Sequence, residues 1–156
     1  MEKYGIIKNA EENIIKHGIH CERAGGCDCS TGSLGQGLPI AVGMALADRN
    51  RDVYCLISDG ECMEGSIWEA LRIKSEFQVT NLIIYVNCNS YSAYGKIDAN
   101  TLEYRLRAFS PDINFRRTST DNLPDFMEGL KAHYRTINNQ EEYEEIAKSL
   151  QSMSVM

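Results

Sequence analysis

Asp59 and Asn89 stand 30 residues apart, each beyond a run of apolar, β-prone residues. A carboxylate and an amide oxygen form a donor pair suited to a hard cation such as Mg²⁺ or Ca²⁺, and Mg²⁺ usually takes its remaining ligands from water and phosphate oxygens. Upstream lies Thr31-Gly32-Ser33-Leu34-Gly35-Gln36-Gly37, whose glycines permit backbone to approach a ligand closely. On residue type alone, Asp59 and Asn89 also read as turn residues capping a helix, and Glu64 as a first-turn glutamate favoured by the helix dipole. His17, His20, Cys21, Cys27 and Cys29 offer zinc ligands, at a spacing that fits no common knuckle or ribbon.

The elements that must hold these groups follow from periodicity. Val53 to Ile57 and Leu82 to Val86 are apolar β-runs, ending at Ser58-Asp59-Gly60-Glu61 and at Asn87-Cys88-Asn89. Helical spacing joins them from Met63 to Phe77, with Ile67, Leu71 and Ile73 on the apolar side. Runs apolar on both faces favour parallel strands buried between helix layers, and ligands of such sheets bind beyond the strands' carboxyl ends. Ile40 to Ala47 is apolar nearly all round and rich in small residues, as expected of a helix packed on other helices or on a neighbouring protomer. Residues 1–18 read as a short charged helix and 19–32 as loop. Asn100 to Phe109 reads as a helix capped by Asn100 or Thr101, and Ile113 to Thr118 as a short strand. Leu123 to Leu130 and Glu141 to Leu150 also carry helical spacing.

The chain of 156 residues, 43% hydrophobic, is long enough for one core and short of two. The expected organisation is a single domain over 1–150 and a frayed tail over 151–156. A net charge of −6 with no basic cluster argues against nucleic acid as partner. No apolar run reaches a membrane span and the start lacks a secretory signal, so the expectation is a cytoplasmic protein with no membrane partner. Six cysteines without a CxxC pair are read as reduced thiols.

The Gly32-Ser33-Leu34-Gly35-Gln36-Gly37 segment, the Ser58-Asp59-Gly60-Glu61 turn with Glu64-Gly65 after it, and Asn87-Cys88-Asn89 together resemble the diphosphate-binding, N-terminal domain of the transketolase family of thiamine diphosphate enzymes. The Asp-Gly…Asn pair is the general thiamine diphosphate pattern, and the glycine segment points to the transketolase branch. The similarity is strong from about His20 to Tyr91. It weakens through 100–118 and partly returns at Phe126-Met127-Glu128 and His133-Tyr134. It implies a three-layer α/β/α, doubly wound, mostly parallel sheet, truncated relative to the family. Ser58 stands where the family usually has glycine.

Carried over, the resemblance implies Mg²⁺ bound by Asp59, the side-chain oxygen of Asn89 and the backbone carbonyl of Tyr91. Gly32, Ser33, Leu34, Asp59, Gly60, Glu61 and Asn89 would bind thiamine diphosphate. The Gly60 N–H would serve the diphosphate with help from the positive end of the following helix. His20, Glu64 and His133 would act catalytically, the histidines toward substrate and Glu64 near the partner's catalytic glutamate across a dimer. The implied activity is transfer of a ketol unit between sugar phosphates by a homo-oligomer, by a complex with a second chain carrying the pyrimidine-binding domain, or by both. The alternatives are a non-catalytic cofactor-binding or scaffold descendant, and another thiamine diphosphate enzyme of the 2-oxo acid decarboxylase or deoxyxylulose-phosphate synthase type.

Overall fold

The chain is seen here as a computed structural model, which describes residues 28–119, 123–132 and 135–153 together with Lys8, Asn9, Glu12 and Lys16. Helix α1 (Gly37–Ala47) carries no charged residue and leads into strand β1 (Val53–Ser58). The turn between them is closed by one side chain: the buried Asn81 amide donates to the carbonyls of Ala45, Asp48 and Arg51 at 2.8–3.1 Å. Residues 61–63 then form a 3₁₀ turn and Glu64 is extended, so helix α2 (Gly65–Glu76) begins two residues later than the apolar spacing predicts. Strand β2 (Leu82–Cys88) follows, then a hairpin of β3 (Tyr91–Ser92) and β4 (Gly95–Lys96) that no periodicity announces. Helix α3 (Ala99–Phe109) is capped by Asp98, whose carboxylate accepts from the N–H groups of Asn100 and Thr101. The two residues expected to cap are the ones being capped. Strand β5 (Asn114–Arg117) completes the regular core.

Strands β1, β2 and β5 form a parallel sheet in that order, with Ser58 beside Asn87 and Cys88 beside Arg117. Each parallel connection passes through a helix, as crossovers of this kind require. The expected α/β class with a mostly parallel sheet is therefore observed. Side chains alternate across the pleat, so Val53, Cys55 and Ile57 share one face with Leu82, Ile84, Val86, Cys88 and Phe115, and all are buried. Leu38 and Val42 of α1, Ile67 and Leu71 of α2, and Leu102 and Leu106 of α3 belong to the same core, which puts all three helices over that face.

The opposite face differs from the expectation of strands buried on both sides. Among the described residues it is open, with Tyr54 and Leu56 68% and 73% exposed. Leu123 to Leu130 also departs from the helix read from its spacing: Pro124 and Gly129 divide it into 3₁₀ turns at Asp125–Met127 and Gly129–Ala132. The last element is helix α4 (Gln140–Met153), longer at both ends than expected. Among the described residues, no helix is long and apolar enough to cross a membrane.

Candidate functional site

The carboxyl ends of β1 and β2 meet at Asp59. This residue is 1% exposed. Burying a carboxylate is costly unless it is hydrogen-bonded, and here Oδ1 accepts the Gly60 N–H at 3.0 Å while Oδ2 accepts the Ser90 N–H at 2.7 Å. The second bond crosses from one strand end to the next, bringing Asp59 and the Asn89-Ser90 turn to one point. Ser90 sits at φ +67, a backbone conformation costly for a side-chain residue, and its bond to Asp59 helps to hold it there. Asn89 is exposed, and its side-chain oxygen accepts the Tyr91 N–H at 2.9 Å, an Asx turn that fixes the direction of that oxygen.

The donor set is therefore a carboxylate, an amide oxygen and the adjacent Tyr91 backbone. Each Asp59 oxygen accepts one described hydrogen bond and keeps lone-pair capacity, and all donors are hard oxygens, which fits Mg²⁺ completed by phosphate and water. No group of three or more His, Cys, Asp or Glu side chains among the described residues is placed to hold a metal by itself. One expected element is displaced. The helix whose positive end was to face a diphosphate beside Gly60 starts at Gly65, after a three-residue 3₁₀ turn, and the Gly60 N–H donates to Asp59 itself.

The glycine loop lies alongside. Gly35 has φ +76, and a Cβ there would stand 2.5 Å from Ser66 Oγ and 2.6 Å from Glu64 Cβ, so only glycine allows this closeness to the start of α2. Glu64, the N-cap residue of α2, is half-buried against that loop; Gly32, Ser33 and Leu34 are exposed. Glu61 is half-buried, and its two carboxylate oxygens accept the N–H groups of Gly35 and Ser58 at 3.2 and 3.1 Å. Ser58 returns a contact, its Oγ accepting the Glu61 N–H at 3.2 Å, and it keeps a negative φ, so serine is accommodated at this position.

Beyond Asn89 opens a cavity of about 340 Å³, lined by Asn89, Tyr91, Lys96, Arg117 and Thr118. It carries two cations. Arg117 is paired with Glu103 at 2.9 Å, and the Arg117 and Arg107 guanidiniums hold the Glu103 carboxyl below its usual range. The Lys96 ammonium stands 5.9 Å from the centre of the Tyr91 ring. Gly129 packs against Tyr91, where a Cβ would come within 2.9 Å of the ring. Sequence reasoning missed Ser66, Ser90, Lys96 and Arg117. Ser66 and Ser90 work through single hydrogen bonds to residues 31 positions away in the chain, which periodicity does not report.

His20 and His133 lie outside the described residues, as do Cys21 and Cys27. The structure thus brings together Asp59, Gly60, Glu61, Glu64, Asn89, Tyr91 and the glycine loop. Cys55, Cys62 and Cys88 are buried thiols and Cys29 a partly exposed one, all free.

A family profile described as thiamine pyrophosphate enzyme, C-terminal TPP binding domain, matches residues 17–155. The domain so matched is named for the C-terminal part of such enzymes, whereas the motif resemblance pointed to the N-terminal domain of transketolases. Transketolase from Pongo abelii is 40% identical over 84 residues, covering 51% of this chain and 13% of that protein. One of the subunits of the apulose-4-phosphate transketolase of Actinobacillus succinogenes is 33% identical over 121 residues, 69% of this chain and 44% of the relative. A solved transketolase from Campylobacter jejuni aligns over 65% of this chain and 22% of its own, at 20% identity and a TM-score of 0.48. The chain thus spans less than half the length of these relatives.

Proposed function

The chain belongs to the thiamine pyrophosphate enzymes, and from that premise we propose that it is a transketolase-like subunit that binds the diphosphate end of thiamine diphosphate through Mg²⁺. The reaction is transfer of a ketol unit between sugar phosphates. A second chain bearing the pyrimidine-binding domain completes the site. The apulose-4-phosphate relative is named as one subunit of its enzyme, which supports a divided arrangement.

The observation that carries this reading is the Ser90 N–H bond to the buried Asp59 carboxylate, which joins two parallel strand ends beside a glycine loop. Thiamine diphosphate, when bound, supplies the nucleophilic carbon and the electron sink for the reaction. The chain's own residues fix its anionic end. Asp59, the Asn89 side-chain oxygen and the Tyr91 carbonyl hold the metal, and Gly60 lets backbone approach the diphosphate. Gly32, Ser33 and Leu34 face the ring end. Glu64, half-buried beside the loop, is assigned to the boundary between protomers, and His20 and His133 to the substrate. The outer stripe of α1, with Ile40, Gly43 and Ala47 exposed and no charge on the helix, is assigned to self-association.

Calorimetric titration of the chain with thiamine diphosphate, with and without Mg²⁺, tests the proposal. Metal-dependent binding that disappears in Asp59→Ala is expected. Absence of metal-dependent binding, alone and with a pyrimidine-domain partner, overturns it.

A further inference from the structure

The Gly35 backbone is held at both its N–H and its carbonyl. Its N–H donates to Glu61 Oε1 at 3.2 Å and its carbonyl accepts from Ser66 Oγ at 2.8 Å. The other Glu61 oxygen accepts the Ser58 N–H at 3.1 Å, immediately before Asp59. One carboxylate therefore spans two backbone segments 23 residues apart in sequence, the glycine loop and the end of β1. Gly35 is buried at φ +76, and a buried N–H needs a partner, which Glu61 supplies.

Glu61 is expected from its place in the motif to touch the cofactor. The geometry gives each of its oxygens a backbone donor instead. We propose that Glu61 is a positioning residue, a carboxylate clamp that sets the separation between the glycine loop and the Asp59 turn so that both ends of one thiamine diphosphate molecule are met at once. The inference rests on the proposed function, because only a ligand reaching both segments feels their separation. A carboxylate is the fitting group, since both its oxygens accept. The isosteric amide of glutamine presents one acceptor and one donor, and the donor faces a backbone N–H.

The test is made on the full chain with Mg²⁺ held constant, comparing thiamine diphosphate with inorganic pyrophosphate, which reaches the Asp59 side alone. In Glu61→Gln, thiamine diphosphate affinity is expected to fall tenfold or more while pyrophosphate affinity stays within twofold. Amide exchange at both Gly35 and Ser58 is expected to speed up tenfold or more, with the interior of β2 unchanged. Ser66→Ala, which frees the carbonyl of the same residue, is expected to give the same selective loss and so serves if Glu61→Gln fails to fold. The double variant is expected to lose less than the product of the two single effects. Equal losses for the two ligands would place Glu61 on the diphosphate itself and overturn the clamp, as would unchanged thiamine diphosphate affinity. Wild-type protein that binds pyrophosphate but no thiamine diphosphate removes the clamp's function and the proposed reaction together. Failure confined to Glu61→Gln and Ser66→Ala removes the clamp alone.

Discussion

Asp59 and Asn89 sit side by side yet differ in what else they do. Two backbone N–H groups, those of Gly60 and Ser90, end on the buried Asp59 carboxylate. Asp59→Ala leaves these half-buried groups without their partner, which costs on the order of 1 kcal/mol each. Asn89 is exposed and water replaces its bond to the Tyr91 N–H, so Asn89→Ala costs less than about 1 kcal/mol. Urea unfolding without metal is expected to show this ordering, while both variants lose Mg²⁺-dependent cofactor affinity. The thiols give a second prediction at this scale. Burial, with Glu61 next, pushes Cys55 up to about 11; burial, with Asp59 and Glu61 adding, pushes Cys62 up to about 12. Only thiolates alkylate readily, so iodoacetamide at pH 7.5 should spare Cys55 and Cys62 in native protein and modify both in denaturant.

Among the elements, α2 and the α3–β5 connection are joined by an ion pair whose lysine is nearly enclosed. The Lys74 ammonium stands 2.8 Å from Asp112, to which Ser110 also donates. Burial alone would raise the Asp112 carboxyl; the hydrogen bonds from Lys74 and Ser110 and the ammonium charge more than reverse it and hold it below the usual range. A carboxyl depressed in the folded state adds stability above its unfolded value near ~4, lost as pH falls through the folded one. Denaturant midpoints are therefore expected to drop between pH 6 and pH 3 in wild type and to drop less in Asp112→Asn.

The same scale shows what was legible in the sequence. β1 and β2 were visible because each is an unbroken apolar run, and their terminal Asp59 and Asn89 were found with them. The hairpin at Tyr91–Lys96 was not, since two-residue strands carry no period. Asp98 was overlooked as a cap although it stands three residues before Thr101, the usual reach of a capping carboxylate. Glu61 belongs to the turn quoted from the sequence, but its bond to a residue 26 positions upstream belongs to the folded state alone.

For the molecule as a whole, Tyr54 and Leu56 read as core from their types and are exposed, because a strand's two faces are filled independently. Beside them, with Tyr85 and Arg116, lies a depression of about 520 Å³ on the open face. Self-association is assigned to the other side of the molecule, through α1. Sedimentation at micromolar concentration should show an oligomer that Ile40→Glu reduces to monomer, with little change in stability because Ile40 is 37% exposed. A strictly monomeric wild type would remove that assignment.

The chain contains one tryptophan, and its position gives the site an optical readout. Trp68 is half-buried; its indole N–H donates to the Cys62 carbonyl at 3.0 Å, in the 3₁₀ turn directly after Asp59 and Gly60, and its ring lies 5.5 Å from that of Phe109. Excitation at the red edge isolates this residue from eight tyrosines. Its emission is expected to shift in wavelength or intensity when Mg²⁺ and pyrophosphate occupy the turn, and to stay unchanged in Asp59→Ala. Occupancy of the metal end becomes measurable in a cuvette, without any assay of turnover.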